Sequence, residues 1–474
     1  MSKSYGDDIA LMAHLMRRAG FSAGPEELER LTEQGYEETV DELINPSKNS
    51  PPADQNVMYR FMPSLETGGP NPTPGAANWL YHMVNTKRPL EEKMALFWHY
   101  VFATSNSKID NGNHLIKQVD MLRENGMGNY RDLLLKIARN PAMIYWLDNN
   151  ENHKKFPNEN WGRELLELFS LGVGNYTEED VFECARAFTG WTISAKIPRV
   201  PHHRFEWHHE FRQEEHDYGE KTFLGHKGNF DGEDIIDIIL QQPACPRFVT
   251  RHLYNFFVED EPQVPAWSVE PPRNPEAIDM LTKIFVESGF EIKPVLKAIF
   301  TSDFFKESMY KKVKSPVEVV VGTLRFTSDA YGPDPLIVGL SQQPGYMGLG
   351  LHDPPSVEGW HTGTEWINSG SLVKRINFVS DRFRDTGSPG MTQVIKRLSE
   401  TNGTSMAPKE FVDRCLELAG PVKVSPETYS ELTTHAEEDG EISWESGNGA
   451  FETSSRRVGD MMSLIASTVE YQFG

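Results

Sequence analysis

The sequence predicts a mainly α protein: one large multi-helix domain over residues 1–474, with a small β-hairpin insertion around residues 192–231. Three observations lead there. Apolar residues recur at the three-and-four spacing of helices through most of the chain. Residues that start and stop helices (Ser, Thr, Asn, Pro and Gly) punctuate those patterns. Only residues 192–231 break into short alternating segments, rich in His.

The chain has 474 residues, 38% of them hydrophobic, enough to bury a large core. Its formal net charge of −22 argues against nucleic acid and against anionic membranes, because both need basic patches. Cys184, Cys245 and Cys415 are far apart and form no CxxC pair, so neither a disulfide framework nor a Cys-rich zinc site is expected. No apolar run approaches the length of a membrane span, so no membrane insertion is expected. The apolar run IALMAHLM precedes Arg17 and Arg18, the reverse of a signal peptide. The expectation is a cytoplasmic protein.

Taken in order, residues 7–45 carry three helical patterns, the second opening on Gly24-Pro25. Residues 46–76 are rich in Pro, Gly and Asn and read as a long loop. Trp79–Thr104 is apolar and helical and is split by Pro89. Helices are expected over 114–124 and 130–139. A polar loop then leads to a helix from Trp161, on which Leu165, Leu166, Leu168 and Phe169 form one arc. Gly172 and Gly174 stop it, and Thr177 with Asp180 caps the next helix. Beyond the insertion, helices are expected over 233–242, from Pro243, from Asn274-Pro275 to Glu287, and over Ile292–Phe300. Ser315-Pro316-Val317-Glu318 is a capping box that opens another. Residues 332–370 read as loop, and 371–384 as helix. Residues 385–474 form a helical tail on the same domain, with helices near 390–399, 408–419 and 455–471 and an acidic loop at 436–450.

These segments resemble a bacterial family catalogued as domain of unknown function 1800. The matching motifs include HLMRRAGFSAGPEE, EKMALFWHYVFATS, NENWGRELLELFSLGVGNYTEEDV, ARAFTGW, HDYGEKTFLG, KSPVEVVVGTLR and WINSGSLVKRINF, in order along nearly the whole chain. The resemblance implies a helical fold and no settled biochemistry. Many relatives carry export signals. Relatives are often encoded beside a sulfatase-like companion protein, which hints at carbohydrate or anionic polymer ligands. The family's Trp-His-x-His-Phe reads Trp98-His99-Tyr100-Val101-Phe102 here, and its Lys-Gly-Trp-Pro reads Glu358-Gly359-Trp360-His361.

Several residues are candidates for chemistry. Glu164 sits at the border of the apolar arc, with Arg163 and Glu167 further round; Glu164 and Glu167 lie three apart, so both could serve one acid/base or metal site, with Arg163 stabilising an anion. The alternative is a solvated face with local ion pairs. His99, in an apolar helix, is either a core histidine or, with Glu164, a ligand to a divalent metal. The loop HDYGEKTFLG offers His216 as base, Asp217 as orienting carboxylate and Lys221 as cation; its alternative is a hairpin turn. Trp360, Trp366 and Asn368 suit stacking on a sugar, or else pin a loop to the core. Arg163, Arg186, Arg247, Arg251 and Arg325 either collect anionic groups or pair with carboxylates. No GxGxxG, P-loop, GxSxG or HExxH is present. The leading expectation is a hydrolase, metal-dependent or not, with a His/Glu/Asp/Lys-lined cleft. The alternatives are a binding or assembly protein using the Trp loop, and a metal-containing redox protein.

Overall fold

A computed structural model describes residues 5–47, 50–62, 65, 71–109, 111–196, 206–401, 404–445 and 449–474. The fold is mainly α with small antiparallel hairpins. The first three helices are Tyr5–Ala19, Pro25–Gln34 and Tyr36–Ile44, the last two separated by Gly35 alone. The expected loop over 46–76 is shorter than read, because it holds a helix Gln55–Phe61 and the next helix already starts at Thr73. Pro74 sits in the first turn of that Thr73–Asn85 helix, where its missing N–H costs no bond.

Pro89 starts the helix Pro89–Val101, whose residues are almost all buried. A helix buried on nearly every side belongs in a core, and this one is its axle, its buried Glu92 and Lys93 paired with Arg123 and Glu318. Trp98 stacks on Phe102 with centroids 5.1 Å apart and donates its indole N–H to Gly126 O at 2.7 Å. On the opposite flank Phe97 meets Phe256 of the helix Ala244–Phe257. One connected apolar cluster runs from Met12 to Ala466, so both ends of the chain share it.

Around this axle the capping signals act as the residue types dictate. Thr177 with Asp180 and Ser315 with Glu318 form reciprocal capping boxes at the starts of Glu178–Ala187 and Pro316–Thr327. In the insertion Trp191–Lys196 pairs with Glu206–Phe211, and Lys221–Phe223 with His226–Gly228. His208 and His209 face Ser194 and Ile193 in that ladder. His202 and His203 lie outside the described residues.

The C-terminal part holds an element the sequence reading lacks, a helix Pro426–Glu438. Its sequence PETYSELTTHAEE buries only Leu432 and Ala436, so no apolar stripe announces it. A two-residue ladder joins Ser405–Met406 to Ile442–Ser443 nearby. Among the described residues no helix is long and apolar enough to cross a membrane.

Candidate active site

The helix expected from Trp161 changes geometry halfway. Asn160–Glu164 is α-helical, and Leu165–Ser170 is a π-helix. The wide turn is closed by Leu171 N donating to Leu166 O at 2.9 Å and by Ser170 Oγ donating to Leu165 O at 2.5 Å. Such turns are poorer in energy than α-turns and recur at functional sites. Three neighbours hold this one. The Tyr130 hydroxyl donates to Phe169 O. Leu165, Leu166, Leu168 and Phe169 are buried. Gly172, at φ +80°, ends the turn where a Cβ would sit 2.9 Å from the Phe248 ring.

Glu164 stands at the start of the π-turn and is half-buried. The cation next to it in sequence, Arg163, turns away to Glu178 at 2.7 Å and Glu159 at 3.1 Å. Glu164 therefore has no ion-pair partner among the described residues. Burial pushes its carboxyl up to about 7, and the charges of Glu167 and Glu358 add to the effect, while Arg163 opposes it. Glu167 is oriented by the Tyr176 hydroxyl, which donates to its Oε2 at 3.1 Å. The same contact, with burial the larger cause, holds the Tyr176 phenol above its ordinary value. Glu358 arrives on a loop that presses against Tyr100. A Cβ on Gly359, at φ +89°, would lie 2.4 Å from Tyr100 O, so only glycine lets the loop approach.

The HDYGEKTFLG loop is closed on itself. His216 is buried, with Nδ1 donating to Thr189 O at 2.8 Å and its ring between Phe211 and Tyr218. Asp217 accepts from Arg186 Nε at 2.8 Å and from Gly219 N at 2.7 Å. Burial would raise this carboxyl, but those bonds hold it below the ordinary range. Lys221, 1% exposed, donates to Asp217 O at 2.6 Å and Gly219 O at 3.1 Å. Each polar group expected to do chemistry instead ties the turn together.

At the tryptophan loop the structure follows the second of the two readings, a loop pinned to the core, and not stacking on a sugar. Trp360 and Trp366 are buried, and the Trp360 indole donates to Gly350 O at 3.0 Å. Asn368 caps the helix Ser369–Arg384 through its side-chain oxygen. These residues pin the loop to the core and leave no ring face for a sugar.

His99 lies at the centre of an aromatic cage. Its ring centroid is 5.2 Å from Trp360, 5.3 Å from Trp79 and 5.8 Å from His352. Neither ring nitrogen has a hydrogen-bond partner, and burial, then His352, holds the imidazole well below its ordinary value. Among the described residues no three His, Cys, Asp or Glu side chains converge as a metal donor set. His99 and Glu164 therefore have no third ligand of those types to complete a shared site.

The five arginines weighed as anion collectors all meet carboxylates. Beyond Arg163, Arg186 meets Asp217 and Glu183, Arg247 meets Asp279, Arg251 meets Glu261, and Arg325 lies 3.8 Å from Glu27. Tyr176 is the site residue the sequence reading missed. It follows two helix-stopping glycines, so no period links it to Glu167.

A family model described as "Protein of unknown function (DUF1800)" matches residues 14–473. No curated protein matches the chain, and no solved structure does.

Proposed function

We propose, for a chain that belongs to the DUF1800 family of proteins of unknown function, that Glu164 is the general acid/base of a hydrolytic site and Glu167 its charged partner. One observation carries this reading. A half-buried carboxylate without an ion-pair partner stands on a π-turn beside two further carboxylates, while the adjacent arginine is spent elsewhere. Buried polar groups are ordinarily satisfied, and exceptions concentrate where a ligand completes them.

The chemistry follows from the pair. A carboxyl titrating at about 7 is half protonated at neutral pH, so it can give a proton to a leaving oxygen or take one from water. Glu167, held by Tyr176, supplies fixed negative charge that stabilises positive charge developing on the substrate. Two carboxylates divided in this way suit glycosidic bonds. A cluster of Glu164, Glu167 and Glu358 repels anionic polymers, so the substrate class is a neutral carbohydrate. His216, Asp217 and Lys221 support the fold beside the site, and Arg163 fixes the helix start. No observation calls for a metal in this reading.

The test compares wild type, Glu164→Gln and Glu167→Gln against a panel of neutral aryl glycosides. Loss of about 10²–10⁴-fold in turnover in the folded Glu164→Gln protein is expected. Full activity in Glu164→Gln, or no turnover of any glycoside by wild type, would sink the reading.

A further inference from the structure

The Tyr5–Ala19 helix, the Pro316–Thr327 helix and the C-terminal turn border a cavity of about 40 Å³. Arg17, Tyr310, Lys314, Thr323, Gly420 and Tyr471 line it. A water needs roughly 10–15 Å³ by the same measure, so the space fits a few waters or one tetrahedral ion and excludes a sugar or nucleotide.

We propose that this cavity is a binding site for a small inorganic oxyanion of the phosphate or sulfate class, held by Arg17 and Lys314. The ground is a group of buried guanidinium nitrogens without hydrogen-bond partners, those of Arg17 on the cavity wall, where Lys314 stands with the carboxylates Glu318 and Glu470. Arg17, Arg18 and Arg375 are buried, Lys314 is half-buried, and none of the four forms an ion pair with a carboxylate among the described residues. They lean on backbone carbonyls instead: Arg17 on Gly420 O at 2.8 Å, Lys314 on Tyr471 O at 2.7 Å, Arg18 on Val258 O and Arg375 on Lys314 O. Nε and one terminal nitrogen of Arg17 have no hydrogen-bond partner, nor do Nε of Arg18 and one terminal nitrogen of Arg375, although Arg17 lies over the Tyr310 ring and Lys314 over the Tyr471 ring.

Among the described residues, the nearby carboxylates form no ion pair with these four cations. Glu318 pairs with Lys93, and Asp260 with Lys312 at 2.7 Å. Glu470 lines the cavity and forms no ion pair; its Oε1 accepts from Ser425 N at 2.8 Å, and its Oε2 has no hydrogen-bond partner. The backbone of Gly474 reaches the region, donating to Lys312 O and accepting from Tyr310 N, which leaves Arg17 unserved. An unpaired buried guanidinium is costly, and a chain of net charge −22 has carboxylates in excess. An oxyanion matches the guanidinium fork and supplies the missing acceptors. The electrostatics agree: burial, then Arg17, pushes the Lys314 ammonium well below its ordinary value, and burial brings Arg18 and Arg375 down to about 10. A bound anion would reverse each shift. It would also clamp segments from both ends of the chain.

The test is equilibrium dialysis of the intact protein with labelled phosphate and labelled sulfate at fixed ionic strength. Melting curves in phosphate, sulfate and chloride accompany it. One saturable equivalent is expected, with a melting temperature raised by the oxyanions and not by chloride. Arg17→Gln and Lys314→Met should each weaken binding by about tenfold or more. No saturable uptake by folded wild type overturns the proposal, as does unchanged affinity in folded Arg17→Gln. Should the variants fail to fold, a selenate-soaked wild-type crystal decides: an ion beside Arg17 supports the site, and an ion elsewhere or none overturns it. Glycoside turnover plays no part in these readouts, so the outcome is independent of Glu164.

Discussion

Glu164 and Asp217 are both carboxylates on short polar motifs set in apolar sequence, yet they meet opposite surroundings. Asp217 accepts from Arg186 and from its own turn, and its charged form is favoured. Glu164 has a cation next to it in sequence that bonds elsewhere, and two like charges acting on it. The first region has spent its polar groups on holding a loop. The second has kept one in reserve. Residue type and spacing are alike in the two; what differs is whether partners distant in sequence arrive. Function is therefore read from unmet demand rather than from the presence of reactive side chains.

The largest expected effect tests closure at the tryptophan loop, where the Trp360 indole, like Asp217, has its partner. Trp360→Ala should cost about 3–5 kcal/mol in denaturant unfolding, because the ring is buried and its indole N–H bonded. A cost below about 1 kcal/mol would mean the ring is exposed in solution. Next, Lys221→Met should destabilise by about 1–3 kcal/mol, since it strips two backbone carbonyls of their donor. Unchanged stability in that variant would place Lys221 outside the loop's framework and reopen a chemical role for it.

Glu164 should behave in the opposite sense. Its folded midpoint of about 7 lies above the ordinary 4.5, so the folded chain retains a proton the unfolded chain has released. Its contribution to stability falls as pH rises through that window and is constant beyond it. Glu164→Gln removes the penalty, giving roughly 1–2 kcal/mol of added stability at pH 8 after solvent screening and nothing at pH 4. Asp217 carries the reverse slope: its stabilisation is full above its ordinary 3.8 and fades as pH falls below it. Thermal melts of Glu164→Gln and Asp217→Asn across pH should thus diverge in sign, and parallel curves would break the comparison. The smallest effect concerns Glu167→Gln, which should lower the Glu164 midpoint towards its ordinary value by removing a like charge. Carboxyl-carbon NMR titration reads this directly, and an unmoved midpoint would mean that Glu167 exerts no charge on Glu164.

Much of the fold was legible because its signals are local. Pro89 splits two helices, and Thr177 and Ser315 cap others, through contacts within four residues. The helix Pro426–Glu438 escaped because two buried side chains make no stripe. The π-turn escaped because Leu165–Ser170 has the same apolar spacing that an α-helix would use. At the candidate site Glu164 and Glu167 were visible as a spaced pair. Their surroundings were not, since Glu358 is brought in by folding and Tyr176 lies beyond the glycines. The same limit hid the closure of Asp217, whose partner Arg186 stands 31 positions away.

The contacts of the first helix set a timetable for synthesis. His14 bonds Phe305 O, 291 positions downstream, and Arg17 bonds Gly420 O, 403 positions downstream. At about 5–20 residues per second, a ribosome delivers those partners tens of seconds after the helix emerges. During that interval the helix that carries the core residues Leu15, Met16 and Ala19 has only its early neighbours, such as Pro25–Gln34 and Pro89–Val101, to pack on. The first helix is expected to reach its final set of contacts only once Phe305 and Gly420 have been made.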